Sequence, residues 1–446
     1  MAKLRVLFVP DSIYWVTGEI TKVFAHFSPW VSPTIISGPI VQRIAASRPF
    51  LLKNIDLVHF LCPYSSWQLL PFLHTRIPTV TTIHHVVDWE YEKHNLQGDA
   101  LMTQSEEWVE DLVTRGVARE RIGKIQNGVD THCFKPVSSA ERIALRRKFN
   151  LPEQGPVIGF FAKKSSDHNY RKGTDIFEAA IFEVIKALPN ITVLIVGPGW
   201  QEFIERLRIK GVRVLNFPFV KRQKDLAPIY ACLDLYWITS RIEGGPVTLM
   251  EAMSSEVPCI STPVGLAKEI IQSGKNSILV TQEDSLEIAK NTVLLLQDST
   301  RLKAMGRAAR ETILANHSLG FSCPLLVDLY GNALKNFSIR TGQVMPKLEI
   351  TESNLMTKIP YAGKQHMEGI PHRYRSELFA EEDLLWMNSL KAAGERREAW
   401  HFAIKAFLHA PLSLEVWREL LRKNLPHGFS DIIRKIKRQW VFGGKY

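Results

Sequence analysis

Two glutamates eight positions apart, Glu243 and Glu251, bracket the turn Gly244-Gly245-Pro246. The apolar run Leu233 to Ile238 leads in, and Val247-Thr248 leads out with the composition of a helix start. Pro246 falls where the first helical residue of the new element belongs. A strand, a glycine turn and a helix start leave several backbone N–H groups pointing at one spot, which suits an anion, typically a phosphate. An ionised carboxylate accepts two hydroxyl hydrogen bonds at once. Phosphate donors flanked by hydroxyl acceptors call for a ligand that carries both groups, and a sugar nucleotide does. A second set of polar residues lies upstream. His84-His85 closes the segment that starts at Thr79, and Gly18 follows the aromatic pair Tyr14-Trp15.

The elements that must position these residues alternate. Arg5 to Val9, Leu57 to Leu61, Thr79 to His84, Leu101 to Gln104 and Ile122 to Ile125 read as strands in the first half. Pro10 to Thr21 reads as a loop and Glu106 to Arg115 as a helix. A second series runs through strands at Val157 to Phe161, Thr192 to Val196, Val212 to Leu215, Leu233 to Ile238 and Pro258 to Ser261. Helices at Asp175 to Leu188, Gln201 to Lys210, Ala267 to Gln272, Ser285 to Leu296 and Ser299 to Asn316 interleave with and follow them. Alternating strands and helices imply parallel sheets covered on both faces. Ligands of such sheets sit at the carboxyl ends of strands, where Gly18 and His84-His85 fall. The reading is two α/β domains, 1–150 and 151–317, joined near residues 131–152. A linker over 339–375 and a helical region over 376–446 follow, with Trp386, Trp400 and Trp417 as packing anchors.

The net charge of +11 draws the chain to something anionic: a sugar diphosphate, an acidic membrane surface or a nucleic acid. The basic residues lack an interleaved aromatic pattern, which argues against nucleic acid. From Arg418 to Tyr446 there are eight Lys or Arg against two acids. Within 426–446, Ile432, Ile433, Ile436 and Trp440 share one helical face with basic residues mostly opposite, a pattern that suits either an anionic membrane surface or simple docking with a solvated face. Five scattered cysteines offer neither a metal spacing nor a disulfide framework. The N-terminus reads as a first strand and not as a signal peptide. A cytoplasmic location is expected, extending to the inner face of a membrane if the tail binds lipid.

Glu243-Gly-Gly-Pro-Val-Thr-Leu-Met-Glu251-Ala-Met resembles the Glu-x7-Glu motif of the retaining glycosyltransferases of family 4. Gln126-Asn127-Gly128-Val129-Asp130, with Phe134 and Pro136, resembles that family's linker signature, and Pro258 and Val264-Gly265 also match. The resemblance spans about residues 4 to 336. It implies the GT-B architecture: two facing Rossmann-like domains with parallel sheets, here with a small C-terminal helical region, and a helix over 318–338 that returns to the N-terminal domain. It also implies transfer from a nucleotide-diphosphate sugar, UDP or GDP not distinguished, to an acceptor hydroxyl on a glycan, glycolipid or small molecule.

The resemblance assigns roles residue by residue. Lys163 and Lys172 match the family's Arg and Lys that neutralise the departing diphosphate, with Lys164 and Arg171 as competitors. Fixed cations of this kind do so without a metal, and no cofactor is expected. Lys in place of Arg loses a bidentate phosphate fork. Glu251 would hold the ribose and Glu243 the donor sugar, while Gly244, Gly245, Pro246, Val247 and Thr248 form the turn beside the diphosphate. Thr82-Ile83-His84 looks like the family's Thr-x-His, whose His faces the donor sugar; His85 is the alternate. Gly18 stands where the family has a glycine-rich loop with paired glycines, and here there is one. No Asp-x-Asp metal pair precedes this chemistry. Two other readings share the fold: a catalytically silent nucleotide-sugar binder or scaffold, and a sugar-nucleotide epimerase.

Overall fold

The computed structural model describes residues 3–14, 16–27, 30–63, 69, 73–85, 96–165, 169–218, 220, 223–345, 370–392, 396–411, 413 and 416. Among the described residues twelve strands form two six-stranded sheets, ordered β2-β1-β3-β4-β5-β6 and β12-β11-β10-β7-β8-β9. The first comprises β1 (Leu4–Val9), β2 (Val31–Ile35), β3 (Leu57–Phe60), β4 (Thr79–Thr82), β5 (Ala100–Thr103) and β6 (Ile122–Lys124). The second comprises β7 (Val157–Phe161), β8 (Thr192–Val196), β9 (Arg213–Phe217), β10 (Leu235–Ile238), β11 (Cys259–Ser261) and β12 (Ile278–Leu279). Every pairing is parallel. β1, β3, β4, β5, β10 and β11 read as near-continuous apolar or small residues because both faces of a parallel sheet are covered. In each sheet the order reverses once, between β1 and β3 and between β7 and β10. Those are the switch points outside which α/β sheets bind ligands.

Helices α1 (Val16–Phe27), α2 (Gly38–Ser47) and α3 (Glu106–Thr114) serve the first sheet, and α4 (Ser139–Lys148) leads to the second. Then come α5 (Asn169–Lys172), α6 (Thr174–Ala187), α7 (Gln201–Ile209), α8 (Ala227–Tyr230), α9 (Val247–Ser254) and α10 (Ala267–Ile270). The series ends with α11 (Ser285–Gln297), α12 (Ser299–Asn316) and α13 (Leu319–Thr341). One core of the second sheet gathers Phe160, Phe177, Trp200, Phe203 and Trp237; another, on its opposite face, gathers Tyr230, Tyr236, Leu249 and Met253. α13 packs Leu326, Tyr330 and Leu334 among Phe8, Leu57 and Met102 of the first sheet. Arg340 near its end ion-pairs with the buried Asp99 at 2.9 Å. Two crossings between the sheets are stapled together, because Val129 N–H donates to the His317 carbonyl at 3.1 Å and Leu319 N–H donates back to Val129 at 3.2 Å. Gly128, at φ +67°, permits that contact; a side chain there would meet Ser322 and Leu319. The structure is the GT-B architecture that the resemblance implies.

Several local expectations need correction. Residues 16 to 21 are not loop: α1 begins at Val16 and places Gly18 in its first turn. Pro246 is not the first helical residue; it lies extended (φ −64°, ψ 105°) just before α9. Residues 131–152 contain α4, whose polar sequence hides its period but whose cap is plain, with Ser138 Oγ accepting from Glu141 N–H at 3.2 Å. β2 carries no clear sequence signal because Pro33 interrupts it, a residue that an edge strand tolerates.

The described residues from 370 onward form a separate compact unit. Its α14 (His372–Ala392) starts inside the stretch read as linker, 346–369 of which lies outside the described residues. α14 pairs with α15 (Arg396–His409): Trp386 meets Phe402 edge-on at 6.4 Å, and the fully buried Asp383 accepts from Lys405 at 3.1 Å and His409 at 2.7 Å. Trp417 and the basic stretch 426–446 lie outside the described residues. Among the described residues no helix is long and apolar enough to cross a membrane.

Candidate functional site

β7 and β10 flank the second switch point, and the loops leaving them carry the charged residues of the site. After β10 the chain runs Thr239-Ser240-Arg241-Ile242-Glu243 into the glycine turn. After β7 it runs through Lys163 to α5, which ends at Lys172. Gly173 lets the two segments touch. It is left-handed (φ +57°), and a Cβ there would fall 1.9 Å from the Thr239 carbonyl oxygen. Thr239 Oγ1 donates to the Gly173 carbonyl at 2.8 Å, and Arg241 N–H donates to the Arg171 carbonyl at 2.8 Å. The result is an ion pair between Lys172 Nζ and Glu243 Oε1, with Ser240 Oγ donating to the same oxygen at 2.9 Å. Burial pushes the Glu243 carboxyl up, but the charges of Lys172 and Arg171 and the two hydrogen bonds outweigh it and hold it down at about 2. Lys172 is less enclosed than its partner, with 26% of its side chain exposed against 10% for Glu243.

Arg241 clamps this arrangement from behind. Its guanidinium is bidentate on Asp175 (2.9 and 2.7 Å) and donates to Glu283 Oε2 at 2.6 Å and to the Tyr170 carbonyl at 3.0 Å. It also lies 4.7 Å from the centre of the Tyr170 ring. The hydrogen bonds it donates to Asp175 and Glu283 raise its pKa far above the ordinary value. Of the two neighbouring lysines, Lys164 is committed elsewhere, in an ion pair with Glu178 beside the Trp200 ring. Neither the Lys163 ammonium nor the Arg171 guanidinium forms a hydrogen bond or ion pair among the described residues. Arg171 lies near enough to lower the pKa values of Glu243, Lys172 and His84 by its charge.

The first sheet supplies the facing wall. Gly244 lies against the backbone of His84, so that a Cβ would sit 1.7 Å from the His84 carbonyl oxygen; one on Gly245 would sit 2.3 Å from Gln104 Oε1. Trp108 Nε1–H donates to the Glu243 carbonyl at 2.9 Å, and Ile242 and Val247 pack into the apolar clusters of the first sheet. Both nitrogens of the His84 ring are engaged, Nε2 with the Leu61 carbonyl and Nδ1 with Gln104 Nε2, each at 2.9 Å. Burial lowers the His84 pKa and so favours the neutral ring. Its carbonyl, not its ring, abuts the glycine turn. His85 is half-buried beside it.

Gly18 also permits a close approach, for a Cβ there would fall 2.4 Å from the Ser12 carbonyl oxygen. This folds the loop Asp11–Tyr14 over the start of α1, with Thr17 donating to Asp11. Glu251 is not part of the Lys172 cluster. It is 1% exposed in an aromatic pocket, and its Oε2 accepts from the Tyr230 hydroxyl at 2.8 Å. Pro246 leads into α9, and the N–H groups of Val247 and Thr248 belong to the first turn, which a helix leaves without intrahelical partners.

Residues 18–132 match the family model "Glycosyltransferase Family 4" and residues 155–298 the model "Glycosyl transferases group 1". The chain belongs to glycosyltransferase family 4. N-acetyl-alpha-D-glucosaminyl L-malate synthase of Bacillus anthracis is 25% identical over 283 residues, 58% of this chain and 70% of that one. The GDP-mannose-dependent monoacylated alpha-(1-6)-phosphatidylinositol monomannoside mannosyltransferase of Corynebacterium glutamicum is 27% identical over 202 residues, 44% of this chain and 52% of its own length. The chain thus spans little more than half of the second relative. Among solved structures, Anabaena Alr3699/HepE in complex with UDP and glucose superposes with a TM-score of 0.61 at 18% identity, covering 73% of this chain and 99% of that one. Sucrose-phosphate synthase of Thermosynechococcus elongatus gives 0.59 at 16% identity over 74% and 98%. At these identities the superpositions speak for the fold.

This glycosyltransferase carries residues at its candidate site that no motif marks. Ser240 and Arg241 adjoin Glu243 in sequence, and their proximity to a motif was the available signal. Gln104, Trp108 and Tyr230 gave none, since a Gln or an aromatic at a strand end or in a helix has an ordinary structural use.

Proposed function

We propose that this family 4 enzyme is a retaining, metal-independent glycosyltransferase that moves a sugar from a nucleotide-diphosphate sugar to an acceptor hydroxyl. The observation that carries the reading is the meeting of Lys172, Arg171 and Glu243 beside the glycine turn, at the carboxyl ends of β7 and β10. Cations fixed at one place stabilise a departing diphosphate where its charge develops, and they need no reorganisation to do so. Lys163 and the first turn of α9 add a further charge and further N–H donors. A diphosphate competes with Glu243 for Lys172, and the carboxylate so released accepts from the hydroxyls of the donor sugar. Glu251, held by Tyr230, would serve the ribose. His84 would present its backbone to the sugar from the facing wall. Retention rests on the family resemblance: departure and attack occur on one face, within one ion pair, the leaving phosphate taking the acceptor proton.

The donor carries UDP or GDP. HepE is solved with UDP, and the corynebacterial relative is named as GDP-mannose-dependent. A glycan or glycolipid acceptor is supported by relatives named for such products, among them an alpha-galactosylglucosyldiacylglycerol synthase of Streptococcus pneumoniae. We assign the basic stretch 426–446 to an anionic membrane, which would place the protein on the inner face of a cytoplasmic membrane. Thermal shift with UDP, GDP and ADP would identify the base, because a product nucleotide stabilises the fold by mass action. Turnover of the matching sugar nucleotides with excess EDTA, and the anomeric configuration of the product, test the rest. No stabilisation by any of the three nucleotides would overturn the reading. Unchanged sedimentation with phosphatidylglycerol vesicles after deletion of 426–446 would overturn the membrane assignment.

A further inference from the structure

Gln104 has no part in the chemistry described so far, yet it is wedged between the two walls of the site. It is 1% exposed. Its carboxamide touches the His84 ring on one side and the Gly245 backbone on the other. The hydrogen-bond directions follow from one fact. The Leu61 carbonyl can only accept, so His84 Nε2 must carry the proton. In a neutral imidazole the other nitrogen is then an acceptor, and it needs a donor. Gln104 must therefore turn its NH2 towards His84 Nδ1, which sends its Oε1 towards Gly245, where the Cβ position of a larger residue would be only 2.3 Å away. Ring, amide and glycine turn form one chain of contacts with a single consistent polarity.

We propose that Gln104 is a positioning residue of the transfer reaction: it holds His84 as the Nε2–H imidazole and so keeps the His84 carbonyl seated on Gly244. This rests on the proposed site at Glu243 and Lys172, across which His84 faces. The charged and titratable groups around the ring are Asp11, Arg171, Glu243 and His59. The two carboxylates favour its cationic form, Arg171 opposes it, the buried His59 is itself uncharged, and Gln104 as a donor to Nδ1 leaves no place for a second proton. A cationic ring here would oppose the positive charge that develops on the donor sugar.

The test compares the wild type with Gln104→Glu and Gln104→Leu, using 15N-labelled histidine. In the wild type, His84 should show one protonated and one bare ring nitrogen, with no titration between pH 6 and 8. Gln104→Glu puts an acceptor at Nδ1, so both nitrogens should be protonated at pH 7. The pH profile of kcat should then gain a limb, with activity at pH 6.5 at least about tenfold below the wild type and recovering as pH rises. Gln104→Leu should lower kcat at all pH values with little change in donor KM. A wild-type ring protonated at Nδ1, or one that titrates near 6.5, overturns the proposal even if neither variant folds. So does a Gln104→Glu profile that superposes on the wild type. The ring signals do not depend on turnover, so failure of the assignment to sugar transfer would show separately, as nucleotides that do not bind.

Discussion

Replacing Gly244 by Ala tests whether the two walls of the site must touch. The added Cβ would lie 1.7 Å from the His84 carbonyl oxygen and 2.7 Å from its carbon, both backbone atoms. A carbon and a carbonyl oxygen rest at about 3.3–3.6 Å, so the walls must part by about 1.6–1.9 Å. No side-chain rotamer can absorb that. Misplacing reacting groups by about 1 Å costs roughly 100-fold, and we expect kcat to fall by at least that factor. The cations proposed for the diphosphate all lie in loops that leave the second sheet, so product nucleotide should still raise the melting temperature with affinity within about threefold of wild type. Gly331→Ala is the control. Gly331 lies inside α13 with nothing within 4 Å of a Cβ, and the change should stabilise the fold by about 0.5–1 kcal/mol without touching kcat. Wild-type kcat in Gly244→Ala would refute the reasoning, because the contact would then have yielded at no cost to catalysis.

Arg241→Ala should release α5 from Asp175 and Glu283, lowering kcat about tenfold or more in the steady-state assay, while Arg241→Lys recovers little because a lysine cannot fork onto two carboxylates. Glu243 bears on acid stability. Its pKa is about 2 in the fold against about 4.5 unfolded, so its contribution of about 3 kcal/mol is present above 4.5 and lost as pH falls through 2. Urea melts from pH 6 to 2.5 should lose this slope in Glu243→Gln, and an equally steep curve in the variant would contradict it. His59 works at a higher pH. Buried between Tyr330 and Thr82, it has a pKa lowered by burial to about 3. The unfolded chain binds its proton below about 6.5 while the fold does not, so stability should fall on acidification by up to about 1.4 kcal/mol per pH unit between 6.5 and 3. His59→Gln should flatten that fall in denaturant melts at pH 6.5, 5.5 and 4.5.

How much could be read from the sequence depends on whether the signal is local. The apolar runs of β7, β8 and β10 declare a buried parallel sheet because each residue there meets the same environment. β2 and α4 were opaque for the opposite reason. Pro33 is tolerated only because β2 is an edge, and the sparse apolar positions of α4 make sense only once Arg146 is seen bonding to the Cys232 and Gly155 carbonyls. The glycine turn shows the limit most clearly. Gly244 and Gly245 looked like a phosphate turn, and the first turn of α9 does leave N–H groups free. Their missing side chains, however, answer to His84 and Gln104, residues more than 130 positions away that no local pattern connects to them. The motif singles out His84, but nothing in it shows the engagement of both ring nitrogens, which depends on Leu61 and Gln104.

The pairing of Lys172 with Glu243 bears on why the site tolerates two buried charges. A buried ion pair gains little net stability, because desolvation offsets the attraction, and removing one partner strands the other. Lys172 shows the strain, its pKa lowered by burial despite the carboxylate beside it. Such a pair is easily exchanged if both partners are replaced together, and a sugar nucleotide brings both replacements, phosphate oxygens for the ammonium and sugar hydroxyls for the carboxylate. A nucleoside diphosphate alone brings only the first and leaves Glu243 buried with a hydrogen bond from Ser240 and less countercharge. The intact donor should therefore bind more tightly than its product nucleotide. That difference should vanish in Glu243→Gln, whose amide carries no charge to strand, and isothermal titration of donor and product against both proteins measures it. Equal differences in the two proteins would mean that Glu243 does not meet the sugar.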